Sequence, residues 1–374
     1  MATTTPPADE LRRLMTEQLI SSGALRSGPW RDAFSSVPRH VFVPEFTVRA
    51  RGGKHGYDQD DPAWLAAVYG DVSLLTQFDV GGTATSSSTQ PSLMARMLEA
   101  LDVKDGDAVL EIGAGTGYNA ALLCHRLGSD RVVSLDIDPD LVNAARDRLR
   151  GAGYNPTLMA GDGMEGCLGH APYARLLATC GVGRIPDSWR EQVRPGGVIV
   201  ANVGCGIVRL RVDANHDARG PFLPDLATFM AARPTPDTVG TTARGLTKTF
   251  LSRTGNTREI APPTRLDTEM PQFFAALVHP TVIDFTLTGD DNQHMLCLYE
   301  SRTSSWARIT SLDVQMAHLE HGGPRDLWAE REPLLTHWAE NGRPASDRYG
   351  LSATSEEHRL WFETPDGHSW RLSE

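Results

Sequence analysis

The feature that most constrains the fold of this 374-residue chain is an alternation of short apolar runs with helical patterns in its middle third. The runs with the length and composition of buried strands are DAVLEIG, RVVSLDID, TLMAGDG, ARLLATC and GVIVANVG. Helical patterns such as YNAALLCHRLG and PDSWREQV lie between them. Apolar strands that alternate with helices indicate a parallel sheet that is covered on both faces. The sequence therefore predicts an α/β unit over residues 80–219.

A glycine loop follows the first of these strands and carries Gly113, Gly115 and Gly117. Open parallel sheets bind ligands at the carboxyl ends of their strands, and glycine lets the backbone approach a ligand without a Cβ in the way. The spacing is Gly-x-Gly-x-Gly, and Tyr118 stands where a dinucleotide-binding loop has its third glycine. This departure weakens an NAD-binding interpretation. A tight turn without a ligand is the alternative for the loop alone.

Acidic residues stand at the loop and at the next two strand ends. Glu111 precedes the loop, Asp136 ends the second strand 21 residues beyond Gly115, and Asp162 follows the third strand. Carboxylates at these strand ends can accept hydrogen bonds from ribose hydroxyls and from an adenine amino group. Each acid alone could equally cap a helix or occupy a solvated turn, but their joint placement favours a nucleotide site. A calcium loop at DIDPD is excluded because Leu141 replaces the required glycine.

A cluster of hydroxyl side chains, TATSSST at residues 83–89, precedes Gln90, Pro91 and a helical pattern. Runs of small polar residues are typical of flexible linkers, because they have little apolar surface to bury. The alternative is that the hydroxyls line a site and donate hydrogen bonds to a bound group. We favour the site, and the linker alternative stays open at this point.

Charge and composition limit the classes of partner and location. The chain has 36 Lys and Arg against 47 Asp and Glu, a net charge of −11, which disfavours binding to nucleic acid. No stretch approaches the roughly 20 apolar residues of a membrane-spanning helix, so no membrane partner is predicted, and the first residues lack an apolar signal-peptide core. The five cysteines are scattered without a Cys-x-x-Cys pair, which favours reduced thiols and a cytoplasmic location.

The last third of the chain has a different pattern. It combines strand-like runs, a helical stretch and a hairpin signal: PTVIDFTLTG, HMLCLYES, SWARIT, PRDLWAEREPLLTHWAENG and HRLWFETPDGHSWRL. We therefore predict a C-terminal α+β part over residues 220–374, the core over 80–219, and an N-terminal helical, substrate-side part over 1–79. His318 and His321 could share a helix face, but no third ligand stands near them, so no metal site is predicted.

The nucleotide-site segments together resemble a known class. VLEIGAGTGYNAALL, SLDID and AGDG are similar to the binding motifs of Rossmann-like class I S-adenosylmethionine-dependent methyltransferases. VPRHVFVPE, STQPSLMARMLEAL and RIPDSWREQVRPGGVIVANVG, with the glycine loop, resemble the protein L-isoaspartyl O-methyltransferase family. The resemblance covers roughly residues 10–215. It implies that S-adenosyl-L-methionine is the cofactor and S-adenosyl-L-homocysteine the spent product.

The resemblance also assigns roles to single residues. It implies that the cofactor is bound by residues of the loop and of the strand ends, which are Glu111, Gly113, Gly115, Gly117, Asp136, Ile137, Asp162 and Gly163. In the family, the segment before Gln-Pro supplies hydroxyl groups beside the transferable methyl group and the acceptor carboxylate. Carried over to this chain, Thr89 stands in the usual serine position, with Ser87 and Ser88 before it, and these three are the predicted catalytic residues.

Some features depart from the usual family pattern. The hydroxyl run from Thr85 to Thr89 is unbroken, Ala174 follows Tyr173 where the family has an aspartate, and a long C-terminal part follows the core. These departures resemble the peptide-tailoring branch, whose members accompany ATP-grasp ligases in the biosynthesis of crosslinked ribosomal peptides (graspetides). FLPDLATFMAAR, GGPRDLW and NGRPASDRYGL look like C-terminal segments of that branch.

The resemblance implies an enzyme that methylates an aspartate side chain of a ribosomally made, macrocyclic peptide and leads to aspartimide or isoaspartate. An ATP-grasp ligase of the same pathway is a possible partner. The first alternative is an isoaspartyl repair methyltransferase, which uses the same chemistry on damaged proteins. A second alternative is a methyltransferase that acts on RNA or on a small molecule, and the net charge of −11 disfavours RNA as the substrate. A third is a catalytically weak S-adenosylmethionine-binding module that delivers peptides.

Overall fold

The computed structural model describes residues 6–50, 53–233, 253–261, 269–288, 294–312 and 315–372. The α-helices are α1 (Ala8–Ser21), α2 (Gly28–Ser36), α3 (Arg39–Phe42), α4 (Trp64–Val68), α5 (Pro91–Leu101), α6 (Tyr118–Leu127), α7 (Pro139–Gly151), α8 (Asp187–Gln192), α9 (Glu269–Val278) and α10 (Leu327–Glu340). The strands up to the end of the predicted core are β1 (Phe46–Ala50), β2 (Gly53–Tyr57), β3 (Leu74–Phe78), β4 (Ala84–Ser88), β5 (Val109–Ile112), β6 (Val132–Asp136), β7 (Thr157–Ala160), β8 (Tyr173–Val182), β9 (Val193–Val203), β10 (Gly206–Val212) and β11 (Ala218–Leu226). The later strands are β12 (Asn256–Ile260), β13 (Val282–Thr288), β14 (His294–Glu300), β15 (Ser305–Ser311), β16 (Ala317–Gly322), β17 (Tyr349–Ala353), β18 (His358–Phe362) and β19 (Ser369–Arg371).

A central sheet carries the predicted α/β unit. Its strand order is β19-β18-β17-β11-β10-β9-β8-β5-β6-β7. The pairs from β9 to β7 are parallel, whereas those from β9 to β19 are antiparallel. The chain runs outward from β5 through β6 to β7 and then returns to the other side of β5 with β8. The loop after β5 therefore lies at the point where strand order reverses, which is where open α/β sheets bind ligands. The predicted α/β fold class is confirmed.

Local sequence explains the elements around this loop. Every residue of β5 is buried, as expected for a strand covered on both faces. Helix α5 begins with Pro91 at its first position and buries Met94, Met97, Leu98 and Leu101 on one face. Burial of each such side chain stabilises the fold by about 1.5–3 kcal/mol. These interactions hold β5 and its neighbours in one rigid core, so the loop is presented on a fixed support.

A four-stranded sheet with the order β2-β1-β3-β4 lies in the first part of the chain. The polar, glycine-rich composition of residues 49–64 predicts an exposed loop, and this prediction is wrong for the first part of the stretch, because β1 and β2 pair there as antiparallel strands. The hairpin lacks an apolar alternation, since β2 is mostly exposed, and its ends are joined by the stacked rings of Phe46 and Tyr57, 5.2 Å apart. The hydroxyl cluster forms strand β4, which contradicts the flexible-linker alternative.

The C-terminal part forms a second antiparallel sheet with the order β12-β16-β15-β14-β13, and the predicted strands, helix α10 and final hairpin are all present. The predicted boundary between residues 219 and 220 falls inside β11, and β17 pairs with that strand. Phe274 of α9 packs on Tyr349 of β17, with ring centroids 5.1 Å apart. The C-terminal part thus shares a core with the central sheet, and its treatment as a separate unit stays a prediction.

Two further sequence expectations concern metals and membranes. His318 and His321 lie on strand β16, so the shared helix face is wrong, and their odd spacing puts them on opposite faces of the strand. Within the described ranges, no group of three or more His, Cys, Asp and Glu side chains is arranged to hold a metal ion. Among the helices that the structure describes, none combines the length and apolar character needed to cross a bilayer.

Candidate active site

A cavity of about 820 Å³ lies at the carboxyl ends of β5, β6 and β8. Its lining includes six of the residues that the sequence predicted for cofactor binding, namely Gly113, Gly115, Asp136, Ile137, Asp162 and Gly163. Pockets that bind small molecules usually measure about 300–1,000 Å³, so this one can hold a nucleotide-sized cofactor and part of a second ligand. The structure therefore brings the glycine loop and two of the three acids to one site.

The glycine loop has a conformation that other residues would strain. Gly113 has a φ of +95°, and a Cβ added there would lie 2.6 Å from the Oγ1 atom of Thr179. Gly115 has a φ of +50° and faces strand β4, since an added Cβ would lie 3.6 Å from the carbonyl oxygen of Ser87. The positive φ values and the close approach of Thr179 and Ser87 therefore require residues without a bulky side chain at these two positions.

Asp136 is the acid that is best placed to accept hydrogen bonds from hydroxyl groups of a ligand. The backbone N–H of Gly115 donates to its Oδ2 atom at 2.8 Å, and the N–H of Asp138 donates to its Oδ1 atom at 3.2 Å. Burial raises the pKa of Asp136, and these backbone hydrogen bonds oppose the rise. Each carboxylate oxygen can accept a further hydrogen bond, so the fixed side chain fits the paired hydroxyls of a ribose.

Asp162 and Gly163 line the same end of the cavity as the glycine loop and Asp136. The Oδ1 atom of Asp162 accepts a hydrogen bond from the N–H of Met164 at 2.9 Å, so the side chain caps a short turn and also lines the cavity. The two interpretations that the sequence offered for this acid are therefore compatible. A Cβ at Gly163 would overlap the Cγ2 atom of Ile112, so this position accepts only glycine without a shift of the strand.

Glu111 and Gly117 do not line the cavity, although the sequence predicted both as cofactor ligands. Glu111 is fully buried behind the loop and accepts hydrogen bonds from Asn119 and Ser134. Burial raises the pKa of Glu111 to about 7. Gly117 begins α6 with a φ of +88° and packs against Ala145. Both residues hold the loop from behind, so a positioning role fits their places better than direct contact.

Strand β4 presents its hydroxyl groups on two faces. Thr85, Ser86 and Ser87 of the strand, and Thr89 just after it, line the large cavity. Ser88 is buried on the other side, where the Nη2 atom of Arg39 lies 3.4 Å from its Oγ atom, and it lines only a smaller cavity of about 30 Å³. Of the three predicted catalytic residues, Ser87 and Thr89 line the large cavity, whereas Ser88 meets the glycine loop only in the smaller one.

Arg39 is a positioning residue that the sequence did not single out. It is fully buried, and its guanidinium donates to the carbonyl oxygens of Val68 at 2.7 Å, Gly70 at 3.0 Å and Thr89 at 3.1 Å. Burial lowers the pKa of Arg39 to about 10, so the group stays charged at neutral pH. The only signal was a lone cation inside the apolar segment VPRHVFVPE. Its contacts fix the end of β4 relative to the preceding loop.

A second missed element is the stretch of residues 227–233, which we call the crossing segment. Its backbone is tied to β8, because Gly181 donates to the oxygen of Met230 and Ala232 donates to the oxygen of Gly181, both at 2.8 Å. The Nδ2 atom of Asn202, in β9, donates to the oxygen of Ala227 at 2.7 Å. Residues 228–233 line the large cavity. The sequence singled out this stretch only as part of FLPDLATFMAAR, by its resemblance to the peptide-tailoring branch, and did not assign it to the site.

The remaining wall of the cavity comes from the β1–β2 hairpin. Val48, Arg49 and Tyr57 line the cavity, and Arg49 is exposed to solvent. The cavity thus has one end built of strand-end glycines and acids, and another built of hydroxyls, apolar groups and arginines. The first end suits a nucleoside that carries a positive charge, and the second suits an anionic acceptor.

The fold and this site define a class I S-adenosyl-L-methionine-dependent methyltransferase. The family model of protein-L-isoaspartate(D-aspartate) O-methyltransferase matches residues 60–218. A protein-L-isoaspartate O-methyltransferase of Methanopyrus kandleri is 36% identical over 196 residues, which cover 52% of this chain and 76% of that protein. One of Methanosarcina mazei is 34% identical over 211 residues, with 55% and 76% covered. The chain belongs to the protein-L-isoaspartate O-methyltransferase family, and S-adenosyl-L-methionine is its cofactor.

A solved structure extends the fold comparison to the C-terminal part. It is named protein-L-isoaspartate O-methyltransferase and aligns with 94% of this chain and 100% of its own, with 23% sequence identity and a TM-score of 0.54. At this identity the comparison shows the fold alone. The alignment runs well beyond residue 218, so the shared fold includes much of the C-terminal part.

Proposed function

We propose that this enzyme methylates the side-chain carboxylate of an aspartate in a macrocyclic, ribosomally made peptide, and that the ester proceeds to aspartimide or isoaspartate. The observation that carries the proposal is the wall at residues 228–233. This wall lies outside the stretch that the family model matches, residues 60–218. An acceptor end that is lined by hydroxyl groups and closed by this additional wall fits a constrained peptide better than the varied chains that a repair enzyme must accept.

The residues at the two ends of the cavity would divide the work. S-adenosyl-L-methionine supplies an electrophilic methyl group on a sulfonium centre. Gly113 and Gly115 would let the backbone approach it, Asp136 would accept hydrogen bonds from ribose, and Asp162 would accept one from adenine. Ile137 and Gly163, which also line this end, would pack against the base. Glu111 and Gly117 would hold the loop in place from behind.

The acceptor end needs no general base. An aspartate carboxyl has an ordinary pKa of about 4, so it is already ionised at neutral pH. Ser87 and Thr89 would hold its oxygens with neutral hydrogen bonds, which orient the anion without pairing it strongly. Orientation of this kind contributes about 7 kcal/mol or more when two reactants are fixed in a reactive geometry. The fact that both residues line the same cavity as Gly115 supports the role.

The product ester explains the second step of the proposal. The backbone nitrogen that follows the aspartate can attack the ester carbonyl and expel methanol, which closes a five-membered imide. Water then opens the imide to aspartate or isoaspartate. An ATP-grasp ligase would supply the crosslinked peptide, and we place the pathway in the cytoplasm, since all five cysteines are free thiols in the structure.

Mass spectrometry tests the proposal directly. The purified enzyme is incubated with S-adenosyl-L-methionine and either a crosslinked acidic peptide or a linear isoaspartyl peptide. We expect the crosslinked peptide to gain one methyl group and then to show a net loss of one water relative to the starting peptide. Turnover of the linear isoaspartyl peptide alone would establish the repair function in its place.

The repair alternative has its own support, because the relatives that are 34–36% identical carry the name of the isoaspartyl enzyme. A catalytically weak peptide-delivery module is the alternative of another class. Titration with S-adenosyl-L-homocysteine followed by the turnover assay separates it, because such a module would bind the coenzyme product and transfer no methyl group.

A further inference from the structure

We infer that Arg233, at the end of the crossing segment, selects acceptor peptides that carry a second carboxylate about two residues from the methylated one. The inference rests on the proposed methylation of a peptide carboxylate and names the substrate class, an acidic peptide. It adds a specificity residue that lies outside the stretch matched by the family model, residues 60–218.

The position of Arg233 along the hydroxyl strand carries the inference. Its Nη2 atom lies 3.5 Å from the carbonyl oxygen of Thr85, and its side chain lines the large cavity. Ser87, two residues further along β4, lines the same cavity as Gly115 of the cofactor loop, and its hydroxyl is the one that the proposed function places at the acceptor carboxylate. Two residues of a strand span about 6.6 Å, so the guanidinium contacts β4 about that far along the strand from Ser87, where we place the acceptor carboxylate.

The same spacing occurs in an extended peptide. Side chains two residues apart lie on one face and are separated by about 6.6 Å. A peptide that lies along β4 with its acceptor carboxylate at Ser87 would therefore bring a carboxylate two residues away to Arg233. Guanidinium groups bind carboxylates with two parallel hydrogen bonds, which makes arginine suited to such recognition.

The charge distribution points the same way. The chain as a whole is acidic, with a net charge of −11, so its general field opposes the approach of an acidic peptide. Arg49 and Arg233 both line the cavity and supply local positive potential at the acceptor end. The charge of Arg233 also acts at the cofactor end, where it lowers the pKa of Asp136 against the effect of burial. Arg233 thus lies between the cofactor end, at Asp136, and the hydroxyl strand of the acceptor end.

The crossing segment is held in place before any peptide arrives. Gly181 makes two backbone hydrogen bonds to it, and the side chain of Asn202 donates to its first carbonyl group, that of Ala227. An arginine on a segment that is already ordered loses less freedom on binding than one on a mobile loop. This supports a role in selection rather than a chance surface position.

Binding to the coenzyme-loaded protein tests the inference without turnover. The probes are two lactam-crosslinked peptides that contain one acceptor aspartate and differ by Glu or Gln two residues away. Calorimetry with the S-adenosyl-L-homocysteine complex should show the Glu peptide binding about tenfold more tightly, because charged hydrogen bonds contribute about 1.5–3 kcal/mol. Arg233→Gln should remove this preference, and Arg233→Lys should retain part of it.

Arg219→Gln is the matched control, because Arg219 is an exposed β11 residue that pairs with Asp217 and does not line the cavity. It should keep the preference. Equal affinity of wild type for both peptides, a preference that survives Arg233→Gln, no binding of either peptide, or a tenfold loss of S-adenosyl-L-homocysteine affinity in Arg233→Gln would each overturn the inference. If the preference is found and lost as expected but no methyl group is transferred, the proposed function fails and the acidic-peptide site stands.

Discussion

The two ends of the cavity are built in different ways. The cofactor end consists of the loops that directly follow β5, β6 and β7, so it comes from residues 113–163 of one continuous α/β unit. The acceptor end combines the β1–β2 hairpin, the hydroxyl strand β4 and the crossing segment, which lie far apart in the sequence. The family model covers the whole cofactor end but, of the acceptor end, includes β4 and neither the hairpin nor the crossing segment.

This difference separates shared chemistry from individual selectivity. The cofactor end depends on glycines at fixed positive φ values and on carboxylates held by backbone N–H groups. Such geometry suits one cofactor and tolerates little change. The acceptor end is built from segments that can vary without disturbing the sheet, which is where enzymes of one fold usually differ in substrate. Substitutions at the two ends should therefore affect different measured quantities.

The largest expected effect concerns Glu111, which supports the cofactor end from behind. Because burial raises its pKa from 4.5 to about 7, the native state keeps a proton that the unfolded chain releases between these pH values. The contribution of the protonated Glu111 side chain to stability is complete below about pH 4.5. It is lost as the pH rises through about 7, because the buried carboxyl must then ionise. Relative to Glu111→Gln, the wild-type free energy of unfolding should fall by about 3 kcal/mol between about pH 4.5 and pH 8.

Urea denaturation of both proteins across this pH range measures the effect. The wild-type curve should approach and cross that of Glu111→Gln as the pH rises. Parallel stability curves would contradict the burial argument. A large loss of S-adenosyl-L-homocysteine affinity in folded Glu111→Gln would instead favour the direct contact that the sequence predicted.

The next effect in size is at Asp136. Asp136→Ala removes the acceptor of the Gly115 and Asp138 N–H groups and of the expected ribose hydroxyls. We expect the dissociation constant of S-adenosyl-L-homocysteine to rise about 100-fold, since charged hydrogen bonds contribute about 1.5–3 kcal/mol. Asp140→Ala, on the exposed side of α7, is the control and should bind as wild type does. Calorimetry measures both dissociation constants. Equal affinity of the two variants for S-adenosyl-L-homocysteine would show that Asp136 does not bind the coenzyme.

A pair of glycines on either side of Asp162 gives the third prediction. A Cβ at Gly163 overlaps Ile112, whereas a Cβ at Gly161 meets no atom within 4 Å. Gly163→Ala should lower the free energy of unfolding by about 1–3 kcal/mol, because overpacking shifts the strand, and Gly161→Ala should change it by less than about 0.5 kcal/mol. Thermal unfolding of the two variants makes the comparison. Equal stabilities of the two variants would contradict the predicted overlap and would show that Ile112 can move to make room for the added methyl group.

The smallest effect distinguishes the two faces of β4. Ser87→Ala should lower kcat/KM for an accepted peptide about tenfold, through the loss of one hydrogen bond to the acceptor, and leave S-adenosyl-L-homocysteine affinity unchanged. Ser88→Ala should instead cost about 1 kcal/mol of stability, because it removes a neutral partner of Arg39, with a smaller kinetic effect. A reversed pattern would place the acceptor on the Arg39 side of the strand.

The same contrast explains what the sequence could predict. The strands and helices around the glycine loop follow from periodicity and caps, such as Asp138, which accepts from the N–H groups of Asp140 and Leu141 at the start of α7. Because strand ends of a parallel sheet meet at one edge, Asp136 and Asp162 could be assigned to one site. The cofactor end was therefore predictable from local pattern, except that the burial of Glu111 behind the loop was not.

The acceptor end depends on long-range pairing, which local pattern does not encode. The β1–β2 hairpin lacks an apolar alternation, and the crossing segment is ordered by Gly181 and Asn202 of distant strands. Strand β17 joins β11 across a long stretch of chain, so the return of the C-terminal strands to the central sheet had no signal either. Arg39 and Arg233 were missed for the same reason, since their partners are backbone oxygens brought together only by the fold.

The most direct test of the account is a crystal structure of the complex with S-adenosyl-L-homocysteine. It should show the ribose hydroxyls on Asp136, the adenine beside Asp162, and the sulfur atom facing Ser87 and Thr89 across the Gly115 loop. A coenzyme bound elsewhere, or a sulfur atom turned away from both hydroxyls, would contradict the central claim that these two ends form one methyl-transfer site.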